Sequence, residues 1–113
     1  MRKIKVSRSL TDEELLEFCR KETGFTNCTI LPGPTTEVVY KTSPPTNTAA
    51  VVVDISSTGG AMKVGEQSDN DLGVAAVGKV GTEDAENLVV VPWSTGWWFY
   101  SIGSVTIRYI VKT

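Results

Sequence analysis

Residues 49–112 contain a succession of short β-branched and aromatic runs, separated by turns rich in glycine and polar residues. Such runs are typical of β-strands, and their close spacing favours antiparallel pairing because tight turns join antiparallel neighbours. The pattern therefore predicts a small antiparallel β-sandwich or barrel. The predicted strands of this part lie at residues 50–55, 61–65, 72–78, 87–91, 97–101 and 105–111.

The first part of the chain adds one helix to this pattern. Residues 10–23 present an apolar face, and Thr11 followed by Glu14 forms a capping-box signature. Gly24 is a typical residue at the C-terminal end of a helix. Because so short a helix needs a surface to pack on, we expect it to cover the sheet. The fold class is thus mainly β with one N-terminal helix (α+β), and further short strands are predicted at residues 2–7, 26–31 and 37–41.

The domain organisation follows from the length and from one connector. A chain of 113 residues is long enough to enclose one hydrophobic core. The polar, proline-containing connector at 42–48 separates an N-terminal arm, helix and connector (residues 1–48) from a β core (residues 49–113). Each part alone is too small for a dependable separate domain, so we interpret residues 1–113 as a single domain.

The charge and the hydropathy pattern exclude several partner classes. A net charge of −2 provides no general attraction to nucleic acid or to an anionic membrane. We find no stretch of ~20 apolar residues and no signal peptide, so we expect no membrane partner and folding in a cytoplasm. Cys19 and Cys28 fit free buried thiols in that compartment, so we predict that both are reduced. They would pair instead if the end of the helix folds back on the next strand.

The sequence contains no histidine. Ser-His-Asp and Cys-His triads and metal sites built on histidine are therefore excluded. No phosphate-binding glycine loop is recognisable, and two cysteines at this spacing do not form a zinc site. We predict no cofactor, no metal and no catalytic residues. An enzyme that uses carboxylates alone stays open as a class, although no paired catalytic group is recognisable.

Aromatic residues are concentrated near the C-terminus, where all three tryptophans fall within six residues. Strand alternation places Trp97 and Phe99 on one face and Trp98 and Tyr100 on the other. We expect Trp97 and Phe99 in the core, since Phe99 has no polar atom to satisfy. Trp98 and Tyr100 each carry a polar group suited to a half-wet contact. Three interpretations of the second face stay open: the helix covers it, another subunit or a capsid-like surface covers it, or a small ligand binds there.

The first eight residues are basic, which indicates either a solvated strand or a contact with an acidic partner surface. Together with the aromatic segment they supply the candidate partner-binding residues. These are Trp93, Trp98, Tyr100, Arg2, Lys3, Lys5 and Arg8.

The order of elements in the first half of the β core is distinctive. A valine strand at 50–54 leads into a small-residue turn and a second strand at 57–64, and then into a polar Asp/Asn turn that ends in Leu-Gly-Val-Ala at 68–75. Over residues 49–91 this order resembles the small β-rich decoration (cement) proteins of tailed-phage heads. The resemblance implies a non-enzymatic virion structural protein that is assembled in the host cytoplasm, binds between capsid subunits and stabilises the capsid.

The same resemblance implies a homo-oligomer whose protein partners are copies of itself, capsid subunits or both. The basic N-terminal arm would contact a neighbour, for example by adding a strand to its sheet. The alternative is a small cytoplasmic phage or bacterial binding or inhibitor protein that acts through its aromatic surface.

Overall fold

In a computed structural model of the protein, eight strands and one helix are found among the residues that the structure describes. Those residues are 2–6, 10–24, 27–33, 42–55, 60–65, 76–81, 87–103 and 105–112. The elements are β1 (Ile4–Val6), α1 (Asp12–Thr23), β2 (Cys28–Pro32), β3 (Thr48–Ile55), β4 (Ala61–Gly65), β5 (Ala76–Val80), β6 (Asn87–Pro92), β7 (Trp98–Ile102) and β8 (Thr106–Lys112).

The strands form two antiparallel sheets. The larger has the order β1-β6-β3-β8-β2, and the smaller has the order β5-β4-β7. The helix contacts β2, β3 and β8 of the larger sheet. The predicted class, mainly β with one helix, is confirmed in its sandwich form; the described strands do not close into a barrel.

One core fills the space between the two sheets. β3 sends alternate side chains into it, and both sheets contribute because side chains on facing sheets interdigitate. We call it the inter-sheet core. Its buried members are Val51, Val53, Ile55, Met62, Val64, Val80, Val89, Val91, Phe99, Ile107, Tyr109 and Val111.

A second core lies on the opposite face of the larger sheet, under α1. We call it the helix-side core. Its buried members are Leu15, Cys19, Ala49, Ala50, Val52, Leu88, Val90 and Ile110. Because both faces of β3 are covered, its sequence is an almost continuous apolar run instead of an alternating one.

The helix begins and ends where the sequence predicts. The Thr11 side chain accepts a hydrogen bond from the Glu14 N–H at 3.2 Å, and the Glu14 carboxylate accepts one from the Thr11 N–H at the same distance. Gly24 ends the helix at φ 75°, and its N–H donates to the Arg20 carbonyl at 2.9 Å. Only a residue that tolerates the left-handed region fits this last position without strain.

The prediction that the two cysteines are free thiols is wrong, because Cys19 and Cys28 form a disulfide. Cys19 lies on the buried face of α1, and Cys28 is the first residue of β2, the strand that α1 contacts at the sheet edge. The end of the helix therefore folds back on the next strand, which was the condition for pairing. The disulfide ties the helix to the outer edge of the larger sheet.

The basic start of the chain belongs to the larger sheet. β1 pairs with β6 as an edge strand, with Ile4 opposite Val90, so the prediction of an edge strand at residues 2–7 is confirmed for Ile4–Val6. The predicted strand at 37–41 and the polar break predicted at 67–71 lie outside the described residues, as do residues 56–59 of the turn predicted at 56–60. So does the first part of the strand predicted at 72–78; its second part lies in β5.

Candidate functional site: an aromatic groove beside the proline connector

The turn between β6 and β7 presents two tryptophans. The Trp97 N–H donates to the Ser94 carbonyl at 3.2 Å, and Gly96 has φ 92° at the third position of this turn. A positive φ at that position is the signature of a type II turn, for which glycine is favoured. The sequence pattern of residues 92–97, between the strands predicted at 87–91 and 97–101, also predicts a turn, and this prediction is confirmed. It leaves Trp93 and Trp97 half-buried at one end of the sandwich.

A second segment, the proline connector at 42–48, runs alongside this turn. Thr42 forms a bridge with Phe99 of β7, with N–H to carbonyl distances of 2.8 and 2.9 Å in the two directions. The Thr48 N–H donates to the Pro45 carbonyl at 3.0 Å, and the Trp93 N–H donates to the Ala49 carbonyl at the same distance. The Thr42–Phe99 bridge at one end of the connector and the Trp93–Ala49 bond just beyond its other end therefore hold it beside the aromatic turn.

Between the connector and the turn lies a concave space of about 230 Å³, which we call the aromatic groove. None of the described residues that line it carries a charge. They are Ser43, Pro44, Pro45, Thr46, Thr48, Trp93, Thr95, Gly96 and Trp97.

The aromatic rings continue from the groove into the inter-sheet core. Trp93 contacts Trp97 with ring centroids 5.4 Å apart and Phe99 with centroids 5.9 Å apart, both edge to face. Phe99 in turn meets Tyr109 of β8 at 6.3 Å. Such edge-to-face pairs contribute about 0.5–1.5 kcal/mol each beyond the area that they bury. The walls of the groove are thus anchored in the core.

Thr48, one of the residues that line the groove, has a buried hydroxyl without a partner among the described residues. Thr48 is 4% exposed, and its Oγ1 is buried without a hydrogen bond to any described residue. A buried hydroxyl left unpaired costs about 1–3 kcal/mol.

The predicted faces of β7 are confirmed, but the predicted exposure of Trp98 is wrong. Trp97 and Phe99 face the inter-sheet core, whereas Trp98, on the opposite face, is also completely buried. Trp98 pairs with Gly65 of β4, and a Cβ added to Gly65 would lie 2.0 Å from the indole ring. The ring therefore lies directly over the glycine backbone. A side chain with no exposed surface cannot supply the partner contact that the sequence predicted for Trp98.

The helix does not cover the second face of β7, which was one of the three interpretations, because it packs on the larger sheet. On that face Tyr100 is half-buried and lies opposite Lys63, whose Nζ is 5.5 Å from the centre of the tyrosine ring. Tyr100 lies on the outer face of the smaller sheet, away from the inter-sheet core toward which Trp93 and Trp97 pack. The structure thus separates the three aromatic residues that the sequence proposed as partner-binding.

The basic candidates lie apart from the groove. Arg2 forms a salt bridge with Glu22 of α1, Lys3 is half-buried and Lys5 is exposed. Arg8 lies outside the described residues. Arg2 is therefore paired within the chain, by a surface salt bridge just before β1.

Sequence reasoning missed the contribution of Pro44, Pro45 and Thr48, and it assigned Trp97 wholly to the core. The available signal was the Pro-Pro pair, which favours an extended segment beside other elements. What brings the connector next to the tryptophans is its bridge from Thr42 to Phe99, which joins residues distant in sequence.

Other parts of the described surface are weaker candidates for a binding site. A hollow of about 440 Å³ lies on the exposed face of α1, but most of the side chains that line it are charged, and among them Arg20 pairs with Glu17 at 2.8 Å. Among the described residues no cluster of three or more Cys, Asp or Glu side chains is placed to hold a metal ion. No described helix is long and apolar enough to cross a membrane.

The class of protein that these observations define is a small disulfide-bonded α+β sandwich with an uncharged aromatic groove at one end. Comparison of the chain with protein-family models, with curated proteins and with solved structures finds no match. The function is therefore argued from the groove and the fold.

Proposed function

We propose that this chain is a non-enzymatic structural protein that attaches to the surface of a phage capsid through its aromatic groove. The observation that carries the proposal is the groove itself. Trp93 and Trp97 are half-buried in it, and none of the described residues that line it is charged. Tryptophan is strongly enriched among the residues that dominate binding energy at protein interfaces. The choice of a phage capsid as the partner comes from the resemblance of residues 49–91 to phage-head decoration proteins.

The fold supports a mechanical role. β3 is buried on both faces, and a disulfide joins the helix to the edge strand β2. A completely buried valine or leucine side chain contributes about 1.5–3 kcal/mol relative to exposure, so two cores on one sheet stabilise a small chain considerably. A stable attachment module suits a protein whose task is to reinforce an assembly.

The second candidate is a small binding or inhibitor protein of a phage or bacterial cytoplasm that uses the same groove, and the concave shape of the groove favours it. The disulfide separates the two candidates. Disulfides persist in secreted proteins and on virion surfaces but are rare in cytosolic proteins, where thiols are kept reduced. The Cys19–Cys28 bond therefore supports the virion setting over the cytoplasmic one.

The proposal is tested on purified phage particles from the natural source of the chain. We expect the protein to co-sediment with the particles, and Trp97→Ala to weaken attachment about thirtyfold, as at a hot spot. Tyr100→Ala, which removes a half-buried aromatic on the other face of β7, is the matched control and should attach normally. Absence of the chain from particles, or normal attachment of a folded Trp97→Ala variant, would contradict the proposal.

A further inference from the structure

The two edge strands of the larger sheet differ in how they are protected. β1 is short and carries Lys5, with Lys3 directly before it, and short length and lysines are devices that prevent an edge from pairing. β2 is longer and has no charged residue. It carries Leu31, the one large hydrophobic side chain that is exposed among the described residues. No described strand pairs with its outer side, so β2 is the unprotected edge of this sheet.

The register of β2 shows which backbone groups point to its open side. The Gly33 N–H donates to the Ile107 carbonyl at 2.8 Å, in the same register as the pairs between β2 and β8. Because bonded and unbonded pairs alternate along an antiparallel ladder, Leu31 exchanges hydrogen bonds with β8 and Ile30 does not. The N–H and carbonyl of Ile30 therefore point to the open side. Pro32 belongs to the same outward set, where its missing N–H leaves no bond to β8 unmade.

These outward groups are complementary to a second copy of the same strand. A two-fold axis at Ile30 overlaps the whole of β2 with an antiparallel copy, and the two Ile30 residues then exchange both backbone hydrogen bonds. Leu31 lies opposite Thr29 of the second copy, and no charges meet across the pair. Two β1 strands paired in the same way would instead place Lys5 against Lys5, which is unfavourable.

The position of α1 supports the same two-fold axis. Near the start of the helix Asp12 pairs with Arg108 of β8 at 3.2 Å, level with the end of β2. Toward its end Cys19 is bonded to Cys28 at the start of β2. α1 therefore runs alongside β2 in the opposite direction. Leu16, midway between the two attachments, lies near the level of the axis.

The flank of α1 that carries Leu16 is complementary in charge to itself. Glu13 and Arg20 lie one turn before and one turn after Leu16, on the same stripe of the helix. Both are exposed, Leu16 is half-buried, and all three line the hollow of about 440 Å³ on this helix. A two-fold axis near Leu16 makes the two helices antiparallel. Glu13 of each copy then faces Arg20 of the other, with the two Leu16 side chains between these pairs.

From the open edge, its backbone pattern and the helix charges we infer that the chain forms a two-fold dimer in which β2 pairs with β2 of a second copy. One sheet then runs through both copies, and the helix-side core, against which Ile30 packs, continues across the axis. None of the described residues that line the aromatic groove belongs to β2 or α1. The dimer therefore goes beyond the proposed attachment and is tested independently of it.

The test measures the mass of the whole chain by sedimentation equilibrium over a range of concentrations. One short strand and one helix flank make a small contact, so the dimer forms toward millimolar concentration and dilute chain is monomeric. We expect a limiting mass of twice the chain mass of 12.2 kDa. Leu31→Lys places a charge on the paired edge and should weaken dimerisation about tenfold. Ser94→Lys adds the same charge to the exposed β6–β7 turn and, as the matched control, should dimerise normally.

Two results of this measurement would overturn the inference. The first is a natural chain that stays monomeric at millimolar concentration. The second is a mass that grows beyond two copies, which is the result of head-to-tail pairing of β1 with β2.

Amide hydrogen exchange on the natural chain locates the contact without a substitution. The Leu31 N–H is bonded to β8 in either state and should be protected at every concentration. The Ile30 N–H points outward, so it should exchange rapidly in dilute solution and become protected as the dimer forms. An Ile30 amide that exchanges equally fast in the dimer would place the contact elsewhere and overturn the inference.

A charge exchange on α1 tests the placement of the two helices. Glu13→Lys should weaken dimerisation about fivefold, the size expected for two exposed ion pairs. Adding Arg20→Glu to that variant restores opposite charges across the axis and should recover most of the loss. A double variant that dimerises no better than Glu13→Lys alone would contradict the two-fold axis at β2 and so overturn the inference.

Discussion

The two faces of the five-stranded sheet are held in different ways. On the helix side, α1 is fixed by a capping box at Thr11, by Gly24 at its end and by the Cys19–Cys28 disulfide. On the other side, the smaller sheet is held by large side chains in the inter-sheet core, including a continuous set of aromatic contacts from Trp97 to Tyr109.

This difference explains where the candidate site lies. On the helix side, the disulfide fixes α1 over the core. The outward surface of α1 is charged and exposed, and on it Arg20 pairs with Glu17. At one end of the inter-sheet core, Trp93 and Trp97 pack against the buried residues and remain partly exposed. An apolar core that continues into a half-exposed surface provides a rigid anchor for a partner. The comparison predicts that changes on the two faces have different sizes and different consequences.

The largest effect is expected in the inter-sheet core. Phe99 is completely buried and contacts both Trp93 and Tyr109, so Phe99→Ala should lower the free energy of unfolding by about 3–5 kcal/mol. Chemical denaturation measures this as a lower midpoint. Leu31→Ala, which truncates the exposed leucine of edge strand β2, is the control and should change little. A midpoint for Phe99→Ala close to that of the control would show that the aromatic contacts do not hold the sheets together.

The next effect appears only at high pH. Burial raises the pKa of Tyr109 to about 12, because the charged phenolate is poorly solvated in the inter-sheet core. The folded state then holds the proton more tightly than the unfolded state, whose tyrosines titrate near 10. The stabilisation is complete below about pH 10 and is lost as the pH rises toward 12. At about 1.4 kcal/mol for each pKa unit, the loss approaches 3 kcal/mol.

Tyr109→Phe should remove this part of the alkaline loss while leaving stability near pH 7 almost unchanged. Unfolding by urea at a series of pH values above neutrality measures it, with Tyr100→Phe on the outer face as the control. Identical alkaline profiles for Tyr109→Phe and the natural chain would show that the phenol is not buried as described.

On the helix side, loss of the disulfide should cost about 2.5 kcal/mol, the value that loop entropy predicts for a short loop. The bonded cysteines are separated by 9 positions. The test is the double change Cys19→Ala and Cys28→Ala, or the addition of a reductant to the natural chain. Reductant should have no further effect on the double variant. Intact mass after alkylation without reductant gives the decisive check: labelling of both thiols would contradict the disulfide.

The smallest effect concerns the helix cap. Thr11→Ala removes the acceptor for the Glu14 N–H and should cost about 1 kcal/mol. Thr11→Ser retains a capping oxygen and should restore most of this loss. Denaturation midpoints compare the two variants. Equal midpoints for Ala and Ser at this position would mean that the cap does not stabilise α1.

These predictions also show which features the sequence reveals. The helix limits depend on residues within a few positions of one another, so Thr11, Glu14 and Gly24 predict them directly. The disulfide depends on where β2 lies relative to the end of α1, and this is a property of the whole sheet. Sequence reasoning on Cys19 and Cys28 therefore stated the right condition and expected the wrong outcome.

The aromatic segment likewise shows that sequence patterns predict local features but not those that depend on the arrangement of the whole sheet. Strand alternation predicted the faces of Trp97, Trp98 and Phe99, but alternation does not determine how much of each ring is covered. Strand register places Gly65 opposite Trp98, and a glycine leaves room for the ring to lie over the backbone of β4. The groove likewise depends on the bridge between Thr42 and Phe99, which no local pattern indicates.

The central claim is that two adjacent tryptophans have separate tasks, Trp97 in recognition and Trp98 in folding. The most direct measurement compares Trp97→Ala with Trp98→Ala, taking the free energy of unfolding and the affinity for purified phage particles on each. We expect Trp98→Ala to lose about 3–5 kcal/mol of stability. Trp97→Ala should lose less stability than Trp98→Ala, because the Trp97 ring is only half-buried, and about thirtyfold in affinity. A folded Trp97→Ala variant that binds like the natural chain would contradict the account.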